Sequence, residues 1–244
     1  MLQDFLPRGI VVLTGAGISK ESGIDTFRDK DGLWTRVNLE EVATIDAWHR
    51  DKKKVLDFYN ETRKGLRAAH IVPNAAHKAL AHLEQKYDGE VTVVTQNIDP
   101  LHEMAGSRRV LHMHGRDGEI RCMNCSTVFE SEIDLTPQSV CPTCQAVGEL
   151  RPHIVWFGEM PLHMDEIYAA LERCGLFLSI GTSGEVYPAA GFVLQARRRA
   201  HAHTVELNLE PSGNQPLFRE HVYGPATQVV PSYVDKIIKG EIRA

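Results

Sequence analysis

Four cysteines fall into two Cys-x-x-Cys pairs, and this spacing is the most specific chemical signal in the chain. Cys122 and Cys125 form the first pair, and Cys141 and Cys144 form the second pair 15 residues later. Two such pairs at this distance predict one tetrahedral Zn²⁺ site. Four thiolate ligands indicate a structural zinc, because a catalytic zinc keeps one position for water. The alternative is two unrelated cysteine pairs without a metal.

Two histidines that alternate along an extended segment are candidates for acid–base chemistry. His112 and His114 lie within Val110–Gly115, and alternate side chains of a strand point to the same side. The unperturbed pKa of histidine is about 6.5, so a neutral imidazole is available as a general base at neutral pH. A structural role is the common alternative for a single histidine beside a strand.

A polar run follows a strand-like apolar segment at residues 96–99. Gln96, Asn97 and Asp99, with Ile98 between them, come directly after Val91–Thr95. Ligands of doubly wound sheets bind outside the carboxyl ends of the strands, where these side chains are expected to lie. The alternative is a helix cap, because Asp99 is followed by Pro100 and proline is favoured at the first position of a helix.

A glycine turn near the N-terminus is the fourth candidate for a functional site. The apolar run Val11–Leu13 stops at Gly15 and Gly17, which predicts a buried strand, a glycine turn and then a helix. Glycine lets the backbone approach a ligand, and the N-terminus of a helix favours phosphate. Lys20 stands where the dinucleotide fingerprint has its third glycine, so a tight turn without a ligand remains the alternative.

The order of strand-like and helix-like segments predicts an α/β fold with a doubly wound, Rossmann-like parallel sheet. We expect this larger part to comprise residues 1–30, 71–118 and 151–244. The smaller part is then a helical insertion (31–70) and a zinc ribbon (119–150).

Two further expectations concern single elements. Asn74 is expected to cap a helix that runs to about Tyr87. Thr227–Val230 is expected to be the last strand, before a helix from Ser232 to about Lys239.

The composition excludes some classes of function. The 244 residues carry a net charge of −5, and no basic stripe indicates nucleic-acid binding. No apolar run approaches the ~20 residues that span a bilayer, so no membrane association is expected. The first residues do not resemble a signal peptide, and a cytoplasmic protein is expected.

Five motifs occur in order from the glycine turn to the second histidine: Gly15-Ala16-Gly17-Ile18-Ser19, Thr26-Phe27-Arg28, Gly32-Leu33-Trp34, Thr95-Gln96-Asn97-Ile98-Asp99 and His114-Gly115. Together they resemble the signature of the sirtuins, the NAD-dependent protein deacylases. The resemblance implies that NAD is a co-substrate and that one structural Zn²⁺ is bound. It also implies a set of NAD contacts: Gly15, Ala16, Gly17, Ser19, Thr26, Phe27, Arg28, Trp34, Gln96, Asn97, Ile98, Asp99, Gly181, Thr182, Ser183, Asn208, Leu209, Glu210 and Ala226.

The resemblance also implies a reaction in which NAD and an acylated lysine of a protein are consumed together. The products are free lysine, nicotinamide and O-acyl-ADP-ribose. His114 is implied to be the general base on the ribose hydroxyls, and Asn97 to hold the ribose and the attacking group. His112 matches a position that is structural in the family.

The acyl-lysine is implied to bind along Val155, Phe157, Gly158 and Glu159, although plain core packing is an alternative for the first two. The chain is most similar to bacterial members grouped with desuccinylases, which carry Tyr-x-x-Arg at the acyl pocket. Tyr59 matches, but Thr62 stands at the arginine position and Arg63 follows one residue later. Arg63 either reaches the pocket from its other flank or is solvated. We expect a deacetylase with weakened desuccinylase activity.

Three rival functions make different predictions. A dehydrogenase would reduce NAD, and an ADP-ribosyltransferase would leave part of NAD on a protein. A zinc-ribbon module for nucleic acid would give a salt-sensitive gel shift, although the acidic charge balance argues against it.

Overall fold

The computed structural model describes residues 8–25 and 38–242, and its centre is a six-stranded parallel sheet. Its strands are β1 (Gly9–Thr14), β2 (Val91–Thr95), β3 (Val110–His112), β7 (Cys174–Ile180), β8 (His203–Asn208) and β9 (Glu220–Tyr223). The strand order is β3-β2-β1-β7-β8-β9, and every neighbouring pair is parallel. The order reverses between β1 and β7, and such a switch point is where doubly wound sheets bind ligands. The predicted fold class is confirmed.

Helices cover both faces of this sheet, which explains why its central strands read as uninterrupted apolar runs. Ala75–Lys86 and Ala226–Ile238 pack on one face, around Leu80, Val230 and Val234. Met164–Arg173 and Phe192–Gln195, which continues as a π-helical turn at Ala196–Ala200, pack on the other face. In chain order the helices are α1 (Ile45–Arg50), α2 (Lys52–Leu66), α3 (Ala75–Lys86), α4 (Leu101–Ala105), α5 (Met164–Arg173), α6 (Phe192–Gln195) and α7 (Ala226–Ile238).

A second, three-stranded antiparallel sheet forms the core of the smaller part. Its strands are β4 (Gly115–Cys122), β5 (Val128–Glu130) and β6 (Leu150–Ile154), in the order β5-β4-β6. Helices α1 and α2 pack against it through a cluster that includes Trp48, Leu56, Ile120 and Trp156. The antiparallel pairing of β4 with β6 joins residues 115–122 and 150–154 in this sheet. The division of the chain at residues 118 and 151 stays a prediction.

The helix caps illustrate local control of the fold. Asn74 caps α3 as predicted, because its side chain accepts a hydrogen bond from the Ala76 amide. Thr44 and Asp51 cap α1 and α2 in the same way.

Two element predictions are wrong. No α-helix follows the glycine turn in residues 16–25; two 3₁₀ turns, Ala16–Ile18 and Lys20–Ser22, end at Gly23 with φ +94°. Elements of three residues supply little dipole, so the helix-dipole argument for a phosphate site does not apply here. Thr227–Val230 lies in α7, and β9 is the last strand of the described residues.

None of the helices within 8–25 and 38–242 has the length and apolar character to cross a bilayer.

Candidate active site and metal centre

The glycine turn packs directly on the loop that follows β7. The amide of Gly15 donates to the Ile180 carbonyl (3.0 Å), and the amide of Gly17 donates to the Gly181 carbonyl (2.9 Å). A Cβ on Gly17 would lie 2.7 Å from the Gly181 Cα, and one on Gly15 would lie 2.7 Å from the Gly181 carbonyl oxygen. These glycines are therefore required by the contact between two backbones at the switch point of the sheet.

A buried polar network lies beside this turn. The Ser19 hydroxyl donates to Asp99 Oδ2 (3.0 Å), and Asn97 Nδ2 donates to the Gly15 carbonyl (3.0 Å) and to Ser19 Oγ (3.2 Å). Burial raises the pKa of Asp99, although the Leu101 amide and the Ser19 hydroxyl act in the opposite direction. Within the described residues Asn97 Oδ1 accepts no hydrogen bond that involves its neighbours in this network.

The two alternating histidines have different partners. His112 uses both ring nitrogens: Nδ1 contacts the Asn97 carbonyl (3.1 Å) and Nε2 contacts Glu103 Oε1 (2.7 Å). These contacts fit a structural role. His114 makes one hydrogen-bond contact to the part of the chain that the structure describes, from Nδ1 to the Gln96 carbonyl (3.2 Å).

The contact of His114 determines its tautomer. A carbonyl oxygen only accepts hydrogen bonds, so Nδ1 carries the proton and the Nε2 lone pair is available. Burial lowers the pKa of His114, and the bond to the Gln96 carbonyl opposes this shift in part. The side chain therefore stays neutral at neutral pH and is suited to accept a proton.

A second pair of histidines, His77 and His102, lies beneath the polar network, and no sequence motif singles it out. His77 Nε2 approaches Ser19 Oγ (3.5 Å), and the His77 and His102 rings are 4.9 Å apart. Burial lowers the pKa of His77 to about 4 and that of His102 below its ordinary value. The spacing of Ala76, His77 and Leu80 along α3 already places His77 on the apolar face, which is the signal that was available.

The candidate contacts for the adenosine half of NAD meet at the same edge of the sheet. Asn208 Nδ2 donates to the Thr182 carbonyl (2.9 Å), which joins the ends of β7 and β8. Leu209 and Glu210 are exposed after β8, and Ala226 is the first residue of α7. The predicted contacts Thr26, Phe27, Arg28 and Trp34 lie outside the described residues.

The candidate substrate residues separate into two groups. Val155, Phe157 and Gly158 run past His114, because the Val155 amide donates to the His114 carbonyl (2.9 Å). Phe157 is 56% exposed and lies at the surface. Glu159, in contrast, binds Arg151 and the Trp156 amide rather than facing outward.

The two candidate acyl-pocket residues of helix α2, Tyr59 and Arg63, also differ in their surroundings. The Tyr59 hydroxyl accepts a hydrogen bond from Trp156 Nε1 (2.9 Å), and burial raises the pKa of Tyr59, so it remains a phenol. Arg63 is buried and forms an ion pair with Asp134. Its guanidinium is thus already bound by a carboxylate.

The four paired cysteines converge in the smaller part. Their sulfur atoms all lie within 4.8 Å of one another, with Cys122–Cys144 at 3.7 Å and Cys125–Cys141 at 3.8 Å. A tetrahedral zinc with Zn–S bonds of about 2.3 Å separates its sulfurs by about 3.8 Å. The residues present therefore fit one closed Zn²⁺ site.

A Rossmann-like sheet with a glycine turn at its switch point, a neutral histidine and a four-cysteine zinc site defines the class of an NAD-binding enzyme with a structural metal. Comparison with known proteins agrees. The sequence profile of the Sir2 family matches residues 15–188. The chain belongs to the Sir2 family.

Similar proteins of known name support this assignment. The chain is 53% identical to a protein of Vibrio vulnificus over 235 residues, which cover 96% of each chain. It is 54% identical to a protein of Escherichia coli over 233 residues, covering 95% of this chain and 84% of the other. Both are named NAD-dependent protein deacylase.

Solved structures are similar over the whole fold. A Sir2 homologue in complex with NAD superposes with a TM-score of 0.85 and 38% identity, covering 96% of this chain and 91% of the other. A mutant Sir2 homologue in complex with ADP-ribose gives a TM-score of 0.87 and 37% identity, covering 96% and 94%.

Proposed function

We propose that this protein is an NAD-dependent protein-lysine deacylase whose general base is His114. The observation that carries the proposal is the position of His114 at the edge of the sheet, where its Nδ1 contacts the Gln96 carbonyl next to Asn97 and no residue in 8–25 or 38–242 binds its Nε2. The names of the relatives and the ligands of the similar structures support the same reaction. Proteins that carry acylated lysines are the partners. The cytoplasmic location stays a prediction.

Individual residues of the chain have separate roles in this reaction. NAD supplies an electrophilic ribose carbon and nicotinamide as a leaving group. Gly15 and Gly17 keep the turn packed against Gly181, beside the dinucleotide, and Asn97 Oδ1 accepts a hydrogen bond from the ribose. Asp99 and Ser19 hold the Asn97 amide in place. The amide oxygen of the acyl-lysine takes the place of nicotinamide on the ribose carbon. His114 Nε2 takes a proton from a ribose hydroxyl, so that the hydroxyl oxygen can bond to the acyl carbon. One water molecule is consumed, the bond from the acyl carbon to the lysine nitrogen breaks, and the proton leaves with the lysine amine.

We also propose that the enzyme prefers lysines that carry a neutral acyl group, such as acetyl, over those that carry succinyl. Thr62 occupies the position where desuccinylating relatives carry arginine, and its hydroxyl donates to the Phe58 carbonyl (2.9 Å). Arg63 does not replace the missing cation, because Asp134 and Asn60 already bind it and its side chain is 10% exposed. The Tyr59 hydroxyl accepts from Trp156 and keeps its own hydrogen for an acyl oxygen.

The test compares kcat/KM for acetyl-lysine and succinyl-lysine peptides. We expect the wild type to prefer acetyl. Thr62→Arg should raise the succinyl-to-acetyl ratio by about 10–100-fold, since a charged hydrogen bond contributes roughly 1.5–3 kcal/mol. Glu61→Arg is the matched control, because it adds the same side chain at an exposed position of α2 and should leave the ratio unchanged.

A wild type that strongly prefers succinyl-lysine, together with loss of that preference in Arg63→Ala, would show that Arg63 leaves Asp134 and serves as the cation. The neutral-acyl proposal would then be wrong, although the deacylase assignment would stand.

A further inference from the structure

The segment Val155–Gly158 connects the proposed base to the smaller part of the molecule. The Val155 amide donates to the His114 carbonyl (2.9 Å), and the Phe157 amide donates to the Ala43 carbonyl (3.0 Å). Gly158 has φ +89°, a conformation that favours glycine, and the exposed Phe157 precedes it. Any displacement of this segment therefore changes the surface beside His114.

A buried ion pair between Arg151 and Glu159 stabilises the position of Val155–Gly158. Arg151 is 2% exposed, and its Nη1 and Nη2 donate to Glu159 Oε1 (2.8 Å) and Oε2 (2.9 Å). The guanidinium carbon also lies 3.3 Å from the centre of the Trp156 ring. The planar fork of arginine makes the bidentate bond and the stacking possible together, and lysine cannot reproduce both.

The Glu159 carboxylate also connects the ion pair, through Trp156, to Tyr59, a candidate residue of the acyl pocket. Glu159 Oε2 accepts the Trp156 amide (2.8 Å), so the ion pair fixes both the backbone and the ring of Trp156. The Trp156 indole in turn donates to the Tyr59 hydroxyl (2.9 Å). One ion pair thus orients the segment beside the base and the phenol of helix α2.

Stability alone does not account for this arrangement. The cost of removing two charges from water offsets much of their attraction, and apolar residues of similar volume often replace a buried pair without loss of stability. A second reason for the Arg151–Glu159 pair is that it holds Val155–Gly158 in a defined position.

We propose that Arg151 and Glu159 are positioning residues that set the affinity for the acyl-lysine peptide by holding Val155–Gly158 and Tyr59 in their binding arrangement. This inference rests on the proposed function. It replaces the expectation that Glu159 contacts the substrate directly.

The experiment measures steady-state kinetics of the zinc-loaded protein with an acetyl-lysine peptide and NAD as varied substrates. Glu159→Gln keeps the size of the side chain but removes its charge, and Arg151→Lys keeps the charge but removes the fork. Glu149→Gln is the matched control, because Glu149 pairs with Lys52 (2.8 Å) in the same part of the molecule, away from the segment. Melting temperature and zinc content report whether each variant is folded.

We expect Glu159→Gln and Arg151→Lys to raise the KM for the peptide roughly tenfold or more, as loss of a charged hydrogen bond predicts. The KM for NAD should stay within about twofold in the same variants, and Glu149→Gln should behave like the wild type. Wild-type peptide KM in Glu159→Gln, or equal increases in the KM for peptide and for NAD, would overturn the inference. A wild type that fails to deacylate the peptide at all would instead refute the proposed function.

Discussion

The contact between the glycine turn and Gly181 predicts the effect of adding one methyl group. In Gly17→Ala the new Cβ would lie 2.7 Å from the Gly181 Cα and 2.9 Å from the Gly181 carbonyl oxygen, both of them backbone atoms. Carbon atoms in favourable contact are about 3.5–4.0 Å apart, so the two backbones must separate by roughly 1 Å. This movement would also stretch the 2.9 Å hydrogen bond from the Gly17 amide to Gly181.

Overpacking of this kind typically costs about 1–3 kcal/mol, and we expect a loss of that size in the free energy of unfolding. Because the turn is the proposed approach to the dinucleotide, the KM for NAD should also rise. Urea denaturation and steady-state kinetics with NAD as the varied substrate measure the two effects.

Gly65→Ala is the matched control, since a Cβ there meets nothing within 4 Å and Gly65 lies in helix α2. It should raise stability by up to about 1 kcal/mol and leave the KM for NAD unchanged. If Gly17→Ala has the urea midpoint and the NAD KM of the wild type, the described contact between the two loops is wrong.

Three other predictions follow from the site. Cys141→Ser should lower the zinc content from about one ion per chain and lower the melting temperature, because a structural zinc contributes folding free energy; unchanged values would exclude the four-cysteine site. His114→Ala should reduce kcat by about 10²–10⁴-fold with the fold retained, and more than half of the wild-type rate would require another base. Because the pKa of His77 falls to about 4 on folding, the unfolded chain binds the extra proton between about pH 6.5 and 4, so stability should fall as pH falls through this range, and His77→Gln should make the fall shallower. An unaltered pH dependence of the urea midpoint in that variant would show that His77 is not buried as a neutral ring.

Local signals explain the parts of the fold that were predictable. The apolar runs of β1 and β2 have no other stable location than the interior of a sheet, and both strands are confirmed. The Asn74 cap is confirmed for a similar reason, because it depends on a contact within two residues. The spacing of the four cysteines predicted that they converge, and their sulfur atoms do lie together.

The wrong predictions arise where tertiary contacts override a local pattern. Thr227–Val230 contains three β-branched residues and reads as a strand, with a helix expected only from Ser232. In the structure Pro231 lies inside α7, whose apolar face packs on the sheet through Val230 and Val234. Packing of this kind outweighs strand propensity, which is weak and depends on context.

The sequence did not predict contacts between residues that are far apart along the chain. The pairing of Arg63 with Asp134 spans 71 positions along the chain, and no local pattern indicates it. The β4–β6 pairing likewise joins two strands that are far apart along the chain, and no local pattern indicates it. The ion pair of Arg151 and Glu159 is short in sequence, but its function depends on Trp156 and on the distant Tyr59.

The most direct measurement of the central claim is the stoichiometry of the reaction. The purified protein is incubated with an acetyl-lysine peptide, with and without NAD, and the products are quantified by mass spectrometry. The account predicts equal amounts of free-lysine peptide, nicotinamide and O-acetyl-ADP-ribose, with no deacetylation in the absence of NAD. Reduced NAD, ADP-ribose attached to protein, or deacetylation without NAD would contradict it.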